Sequence, residues 1–201
     1  TYANQLIDEV AIFGSELSAS DITAIYNQGV PADLASYSPV GWWRMGDNDS
    51  GTGTTITDQG SGGNDATLTN GPTFSTDVPT LPPSIYSLDL DGSDDYLDLG
   101  SGFTTTNQFT ISAWINPDNL STGYGYLLGN NLGTGISLDE GGGAAGAGKF
   151  YLWTGSGTVD VLSTTALTIN NWFHVVFVCD KTVGTKGEIK FYINGSLDKT
   201  T

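Results

Sequence analysis

The amino-acid sequence predicts an all-β protein, an antiparallel two-sheet sandwich that carries one short surface helix. From Val40 onward, short apolar stretches alternate with polar residues, which is the pattern of half-buried strands. The 28 glycines and the frequent Ser and Thr residues are typical of many short strands joined by tight turns. A clear helical pattern appears near the start of the chain. The predicted helix therefore precedes the strands that begin after Val40.

The first predicted elements are a strand over residues 7–13 and a helix over residues 18–28. Ser18 is a favourable N-cap, and Asp21 stands three residues later, where a capping-box acid reaches back. Gly29 supplies the C-terminal stop of this helix. The apolar face of the helix consists of Ile22, Ile25 and Tyr26. This face needs a partner surface that residues 1–36 are too few to provide.

The body of the sandwich follows. Residues 88–99 alternate apolar side chains with aspartates around an acidic turn, which predicts a hairpin. Residues 109–115 alternate in the same way, and residues 172–179 are apolar on both faces, as expected of a central strand. The last predicted strand, residues 189–193, ends at the two-residue turn Asn194-Gly195. Because only six residues follow this turn, the returning strand is expected to be short or absent.

Charge and composition exclude several classes of partner. The formal net charge is −16, from 22 acidic and 6 basic residues, and the bases are scattered. Nucleic acids and anionic membrane surfaces are therefore not expected to bind. No stretch of the sequence is long and apolar enough for a membrane span. The single cysteine, Cys179, lies in an apolar run and is predicted to be a buried structural thiol.

Several motifs follow one another in an order that points to a family. The body contains the stretches GWWRMGDNDSGTGTT, LDLDGSDDYLDLG, FTISAWINP, NNWFHVVFVCD and IKFYINGSLDK, and the start of the chain contains IDEVAIF and LSASDITAIY. Together they resemble the laminin-G-like jelly-roll domains of the concanavalin A-like lectin/glucanase superfamily. The resemblance implies an antiparallel two-sheet jelly-roll sandwich. It also implies that the family's closing strand and terminal helix here precede its opening motif.

This inverted order predicts three parts of the chain. Residues 1–36 are the closing strand and helix of a jelly-roll unit, residues 37–40 are a linker, and residues 41–201 are a jelly-roll body that lacks its last strand. The closing segment has three possible locations, which are a preceding unit of a tandem array, the chain's own body, or a neighbouring molecule. A donated segment makes a head-to-tail contact that propagates as a filament.

We favour a head-to-tail chain, covalent or donated. The predicted function is a noncatalytic structural module, the repeating subunit of a fibre, filament or adhesin that is extracellular or on a cell or virion surface. In this hypothesis residues 7–13 pair with an open edge near residues 191–193, and the helix pins the junction. The predicted assembly residues are Ile7, Val10, Ile12, Phe13, Ile22, Ile25, Tyr26, Phe191 and Ile193.

Catalysis is not predicted. A retaining glycosidase needs two carboxylates about 5 Å apart, and in jelly-roll hydrolases these come from one strand with alternating Glu and Asp. The four glutamates, Glu9, Glu16, Glu140 and Glu188, do not precede such an alternation. The single histidine, His174, lies in a mostly apolar strand, where a structural role is expected.

Calcium is the cofactor that the sequence suggests. Acidic, glycine-rich turns offer the carboxylate and carbonyl oxygens that hard cations prefer. The same acids also serve as turn residues and as a solvated surface, which is the alternative interpretation. The acidic hairpin contributes Asp89, Asp91, Asp94 and Asp95 to the candidates. The predicted ligands are Asp8, Asp47, Asp58, Asp65 and Asp91. Asp8 comes first because the resemblance implies that the ends of the domain are tied together through a calcium ion, for which the Asp of the closing strand is a suitable ligand.

A carbohydrate is the ligand expected under the alternative function, a calcium-dependent lectin-like module. Exposed aromatic rings flanked by polar groups suit sugar recognition. The predicted stacking residues are Trp43, Tyr124 and Trp153. Packing in the core of the sandwich is the competing expectation for each of these rings.

Overall fold

The computed structural model describes residues 2–80, 82–100, 107–120, 124–129, 134–139, 148–154, 161–185 and 187–201. Strands dominate these ranges. The elements are β1 (Asn4–Phe13), α1 (Ala19–Tyr26), β2 (Gly41–Trp43), β3 (Thr55–Ile56), β4 (Ala66–Thr69), β5 (Thr73–Ser75), β6 (Ser87–Asp91), β7 (Tyr96–Asp98), β8 (Gln108–Pro117), β9 (Tyr124–Gly129), β10 (Thr134–Asp139), β11 (Lys149–Thr154), β12 (Val161–Ala166), β13 (Phe173–Asp180), β14 (Glu188–Ile193) and β15 (Ser196–Thr200), with 3-10 turns at Asn27–Gly29 and Ala35–Tyr37.

One large antiparallel sheet forms the first layer. Its strand order is β15-β14-β13-β8-β1-β6-β5, and β2 pairs with β1 beside this path. Strand β1 is therefore central: β8 runs along one of its edges, while β6 and β2 share the other. β6 pairs with the first half of β1, from Asn4 to Ile7. β2 pairs with the second half, from Val10 to Ile12.

A second layer closes the sandwich. It consists of a four-stranded sheet in the order β12-β11-β10-β9 and a three-stranded sheet in the order β3-β4-β7. Apolar side chains from these sheets and from the inner face of the large sheet form one buried cluster. Its members include Ile12, Trp43, Ile56, Leu88, Ile115, Leu138, Phe150 and Phe177. The predicted all-β sandwich is confirmed.

Helix α1 covers the outer face of the large sheet. Ile22 and Ile25 are buried, in a second apolar cluster with Phe13, Trp42, Val176 and Tyr192. The predicted capping box is present, because the Ser18 hydroxyl accepts from the Asp21 N–H and the Asp21 carboxylate accepts from the Ser18 N–H. The helix ends at Tyr26 rather than at Gln28, because Asn27 and Gln28 have φ angles of 47° and 59°.

The helix also contacts the last hairpin turn. The Thr23 hydroxyl donates to the Gly195 carbonyl at 3.0 Å. A Cβ atom at Gly195 would lie 2.8 Å from the ring of Tyr26, so the close approach of the helix requires glycine there. Among the described residues, no helix has the length and apolarity needed to cross a membrane.

The expected absence of the last strand is wrong. Ser196–Thr200 forms β15, which pairs with β14 from Ile193↔Ser196 to Lys190↔Thr200. The two-residue turn returns the chain at once, so the few residues after Gly195 suffice for a strand.

The expected pairing of residues 7–13 with an edge near residues 191–193 is also wrong. Both edges of β14 are occupied, by β13 and β15 of the same chain. Phe191 packs inside the sandwich with its ring 5.5 Å from that of Phe177, and Ile193 packs partly against the same core. Strand β1 is buried along nearly its whole length, as a central strand must be. In this structure residues 4–26 lie on the chain's own body.

We expect Ile12→Ala to destabilise the whole domain. Ile12 is 0% exposed in the centre of the sheet, so its truncation should cost about 2–5 kcal/mol of unfolding free energy. Ile85→Ala is the matched control, because Ile85 is 50% exposed and its truncation should change stability by about 0.5 kcal/mol or less. Urea unfolding of both variants measures the difference. Equal effects would contradict a central, buried β1.

Candidate functional site

A buried polar network joins β1 to the segment after β2. The Glu9 carboxylate accepts hydrogen bonds from Trp42 Nε1 at 2.6 Å and from Arg44 Nε at 2.9 Å. The Arg44 guanidinium also contacts Asp47 at 3.0 Å. The Asp8 carboxylate accepts from the Ser84 hydroxyl at 2.5 Å. The stretch IDEV in β1 thus meets the stretch GWWR, which begins at β2, in this network.

Backbone geometry explains how adjacent acids reach this network. The pairing of β1 with β8 shifts register between Asp8 and Ala11, which is the signature of a β-bulge. Glu9 has a φ of 48° at that bulge. The Glu9 backbone N–H donates to the Asp8 carboxylate at 2.8 Å.

Burial dominates the electrostatics of the network. Desolvation and the charge of Glu9 raise the pKa of Asp8 well above its usual range. Desolvation also raises the pKa of Glu9, while the charge and hydrogen bonds of Arg44 act in the opposite direction. Arg44 lies between Glu9 and Asp47 and supplies the cation there. Two of the predicted calcium ligands, Asp8 and Asp47, therefore belong to a network that already contains a positive charge.

Two other predicted ligands organise a loop. The Asp58 carboxylate accepts from the backbone N–H groups of Trp42, Gly60 and Asn64 at 2.7–2.9 Å. The Asp65 carboxylate accepts from the Asp58 N–H at 2.9 Å. These bonds place Asp58 and Asp65 together, and they explain the acids as turn-forming residues.

The last predicted ligand, Asp91, lies in a surface cluster that we call the acidic turn, formed by Asp91, Asp94 and Asp95. One carboxylate oxygen from each acid lies within 4.8 Å of the other two. Calcium binds oxygens at about 2.3–2.6 Å, so two ligands of one ion stand at most about 5 Å apart. The acidic turn could therefore hold a metal ion. Among the residues that the structure describes, this is the group of acidic side chains whose ligand atoms lie close enough together for one ion.

Hydrogen bonds hold the acidic turn in shape. The Asp95 carboxylate accepts from the Asp91 N–H at 3.1 Å, and the Asp91 carboxylate accepts from the Ser93 N–H at 2.7 Å. The Asn70 side chain donates to the Asp94 carbonyl at 2.9 Å. Asp91 and Asp94 are exposed, while Asp95 is buried. The turn is thus anchored on one side and open to solvent on the other.

The predicted sugar-stacking residues have different locations. Trp43 is 1% exposed and its indole N–H donates to the Asn64 carbonyl, so its assignment to sugar binding is wrong and the competing expectation of core packing holds. The side chains of Tyr124 and Trp153 lie outside the described residues. The sequence reasoning missed Tyr2 and Tyr96, whose exposed rings are in contact with each other.

A second acidic group was also missed. Partial burial and the negative charges of Asp89 and Asp77 raise the pKa of Asp118. The Trp172 indole N–H donates to the Asp77 carboxylate at 2.9 Å. These residues come from four separate stretches of the chain. Local sequence patterns could not bring them together, although Asp89 was noted within the hairpin.

The candidate acid–base residues are engaged in structural contacts. Glu16 and Glu188 both pair with Lys190, at 2.7 and 2.6 Å. His174 is buried, with Nε2 2.8 Å from the Ser112 hydroxyl, and desolvation lowers its pKa to about 3. The ring of His174 also stacks on that of Tyr26. Glu140 lies outside the described residues.

We expect Asp8→Asn to remove a pH-dependent loss of stability. The raised pKa of Asp8 means that the folded state binds its proton more tightly than the unfolded state, whose pKa is about 3.9. Wild-type stability should therefore fall as the pH rises from about 4 through the raised pKa, by at most about 1.4 kcal/mol per pH unit.

Urea unfolding of wild type and variant between pH 3.5 and 8 measures this effect. The stability of Asp8→Asn relative to wild type should increase across the window and then level off. Asp33→Asn is the control, because it removes an acid at an exposed position. A difference between Asp8→Asn and wild type that is constant with pH would contradict the raised pKa.

Comparison with protein families gives one match. A laminin G-type model, described as the concanavalin A-like lectin/glucanases superfamily, matches residues 91–201. Comparison with curated proteins and with solved structures gave no significant match. The matched residues make up more than half of the chain, extend from Asp91 of the acidic turn and include β7 through β15. The β-rich structure agrees with the jelly-roll architecture, and the chain belongs to the concanavalin A-like lectin/glucanases superfamily.

Proposed function

We propose that this chain is a noncatalytic, extracellular module that binds carbohydrate with the help of calcium held at the acidic turn. The observation that carries the proposal is the ligand-like spacing of three carboxylates on the surface of a lectin-superfamily fold. Laminin G-like domains are generally noncatalytic binding modules and are usually extracellular. The acidic turn is then the part of the module that contacts the ligand.

The chemistry of the acidic turn suits calcium. Calcium takes six to eight oxygen ligands in a flexible arrangement, from carboxylates, carbonyls and water. Asp91, Asp94 and Asp95 would supply carboxylate oxygens. Bound calcium would offer positive charge to the hydroxyl groups of a sugar. The exposed side of the turn leaves room for that contact, since Asp91 and Asp94 face solvent.

Net charge supports the preference for a cation. Three carboxylates lie close together in a chain of formal charge −16, so a divalent cation relieves their mutual repulsion. The basic side chains Arg44 and Lys190 are already paired with acids elsewhere. The residues from Asp91 to Tyr96 include no Lys or Arg. A cation from solution can therefore supply counter-charge at this turn.

We expect Asp94→Asn to weaken calcium binding by about tenfold or more, because the affinity of such sites follows the number of charged ligands. Isothermal titration with calcium chloride measures the affinity, and magnesium chloride is the comparison ion. Asp33→Asn, at another exposed position, is the matched control and should bind as wild type. Calcium affinity that is equal in both variants would contradict the assignment.

A second candidate function is head-to-tail assembly through the segment formed by β1 and α1. One observation favours it: this segment occupies a slot between β8 on one side and β6 with β2 on the other. Without the segment, the body would expose strand edges on both sides of the slot, and such edges recruit strands. The same segment from another copy fits this slot.

A disulfide trap tests the assembly candidate. Ala11 and Ser112 are register partners in β1 and β8, so Ala11→Cys with Ser112→Cys, in a Cys179→Ala background, can link the segment to its slot. Assembly predicts a ladder of covalent multimers after oxidation of the native material, seen on a non-reducing gel. A product that runs as a single chain contradicts it. Ala11→Cys with Cys179→Ala alone is the control.

A further inference from the structure

We infer that Asn70, in the connection between β4 and β5, is a modification site at which the side-chain amide is lost by deamidation and a carboxylate replaces it. The reaction uses this chain and water alone, so the site does not depend on the proposed function. Its consequence for calcium at the acidic turn rests on that function.

The chain contains two Asn-Gly pairs with the same reactive groups. They are Asn70-Gly71 and Asn194-Gly195, and both asparagines are in a left-handed conformation, with φ angles of 68° and 49°. Glycine lacks a Cβ atom, so its backbone nitrogen is the least hindered nucleophile that can follow an asparagine. The surroundings of the two pairs therefore decide which of them reacts.

Deamidation is an intramolecular substitution at the asparagine side chain. The backbone nitrogen of Gly71 attacks Cγ of Asn70, the new N–Cγ bond closes a succinimide ring, and the Cγ–Nδ2 bond breaks. The leaving amide takes up the proton of the Gly71 N–H and departs as ammonia. Water then adds to either ring carbonyl and cleaves its bond to nitrogen, which regains a proton. The product is aspartate or isoaspartate, and both carry a carboxylate.

Asn70 lies where local opening of the chain costs little. The attack requires its backbone to rotate out of the left-handed conformation, so the rate follows the free energy of local opening. β4 belongs to the three-stranded sheet and β5 to the large sheet, and among the described residues no ladder hydrogen bonds join these two strands. Asn70 and Gly71 are both exposed. The bond from the Asn70 side chain to the Asp94 carbonyl, at 2.9 Å, also lies at the surface.

Asn194, in contrast, lies in a turn that the fold holds closed. It connects β14 and β15, whose ladder continues up to the turn. The Asn194 side-chain oxygen accepts from the His174 N–H at 3.0 Å, and the Asn194 N–H donates to the His174 carbonyl at 2.8 Å. The Gly195 carbonyl accepts from the Thr23 hydroxyl at 3.0 Å. Rotation at Asn194 would break these bonds, so the folded state protects this pair.

Deamidation of Asn70 changes the surroundings of the acidic turn. The amide donor to the Asp94 carbonyl is replaced by a carboxylate, which can only accept hydrogen bonds. A carboxylate and a carbonyl oxygen then lie next to each other, beside the carboxylates of Asp91, Asp94 and Asp95. Calcium binds oxygens of both kinds, and its affinity follows the number of charged ligands. The deamidated chain is therefore expected to hold calcium more tightly than the original chain.

Peptide mapping by mass spectrometry tests the site on the folded chain, incubated at neutral pH without denaturant. We expect the Asn70 peptide to gain the mass that marks replacement of an amide by a carboxylic acid at least about tenfold faster than the Asn194 peptide, since the rate follows local opening. In concentrated urea the two rates should become similar, because both turns are then open. Asn70→Gln is the matched variant and should keep its amide, since glutamine closes the corresponding ring far more slowly. Equal rates in the folded chain, or no mass gain at Asn70, would overturn the proposal.

Calcium titration separates this proposal from the proposed function. Asn70→Asp reproduces the aspartate product, and we expect it to bind calcium about tenfold more tightly than wild type. Deamidation at Asn70 without calcium binding by wild type or by Asn70→Asp supports the modification site and overturns the role of calcium. Calcium binding by wild type without deamidation at Asn70 overturns the modification site and leaves the metal site. Equal calcium affinity of wild type and Asn70→Asp overturns the link between Asn70 and the acidic turn.

Discussion

The position of β1 in the centre of the large sheet is the constraint on which the rest of the structure depends. Its backbone is hydrogen-bonded to β8 along one edge and to β6 and β2 along the other. Its side chains contribute to the inner core on one face and to the cluster under α1 on the other. Both apolar clusters, the helix and the buried polar network therefore share this single strand.

The buried charges near β1 fix its position more than they strengthen the fold. Breaking a buried ion pair is costly, although the pair itself contributes little net stability. Glu9 meets Trp42 and Arg44 only when β1 has the observed register. A shift by one residue would turn Asp8 and Glu9 away from these partners and reverse the two faces of the strand. The bulge at Glu9 and the network thus exclude alternative pairings.

The sequence predicted the local elements well, because their signals are local. The capping box at Ser18 and the alternation in residues 109–115 appear as expected. Strand neighbours were predicted poorly, since β1 reaches β6 and β8 across long stretches of chain, and no local pattern encodes that choice. The candidate site was likewise predicted only where its residues are close in sequence. Asp91, Asp94 and Asp95 are close in sequence and were recognised, whereas the contact of Tyr2 with Tyr96 depends on the tertiary fold.

The central position of β1 has a consequence for how the chain folds. The strand comes before all of its pairing partners in the sequence, and the hydrogen bond between Leu17, which follows β1, and Thr110 of β8 spans 93 positions. Such non-local pairing makes folding slow. During synthesis the edge of β1 that pairs with β8 must remain unpaired until β8 has left the ribosome, and an apolar strand with an open edge is prone to aggregation. The high density of negative charge on this chain keeps nascent molecules apart during that interval.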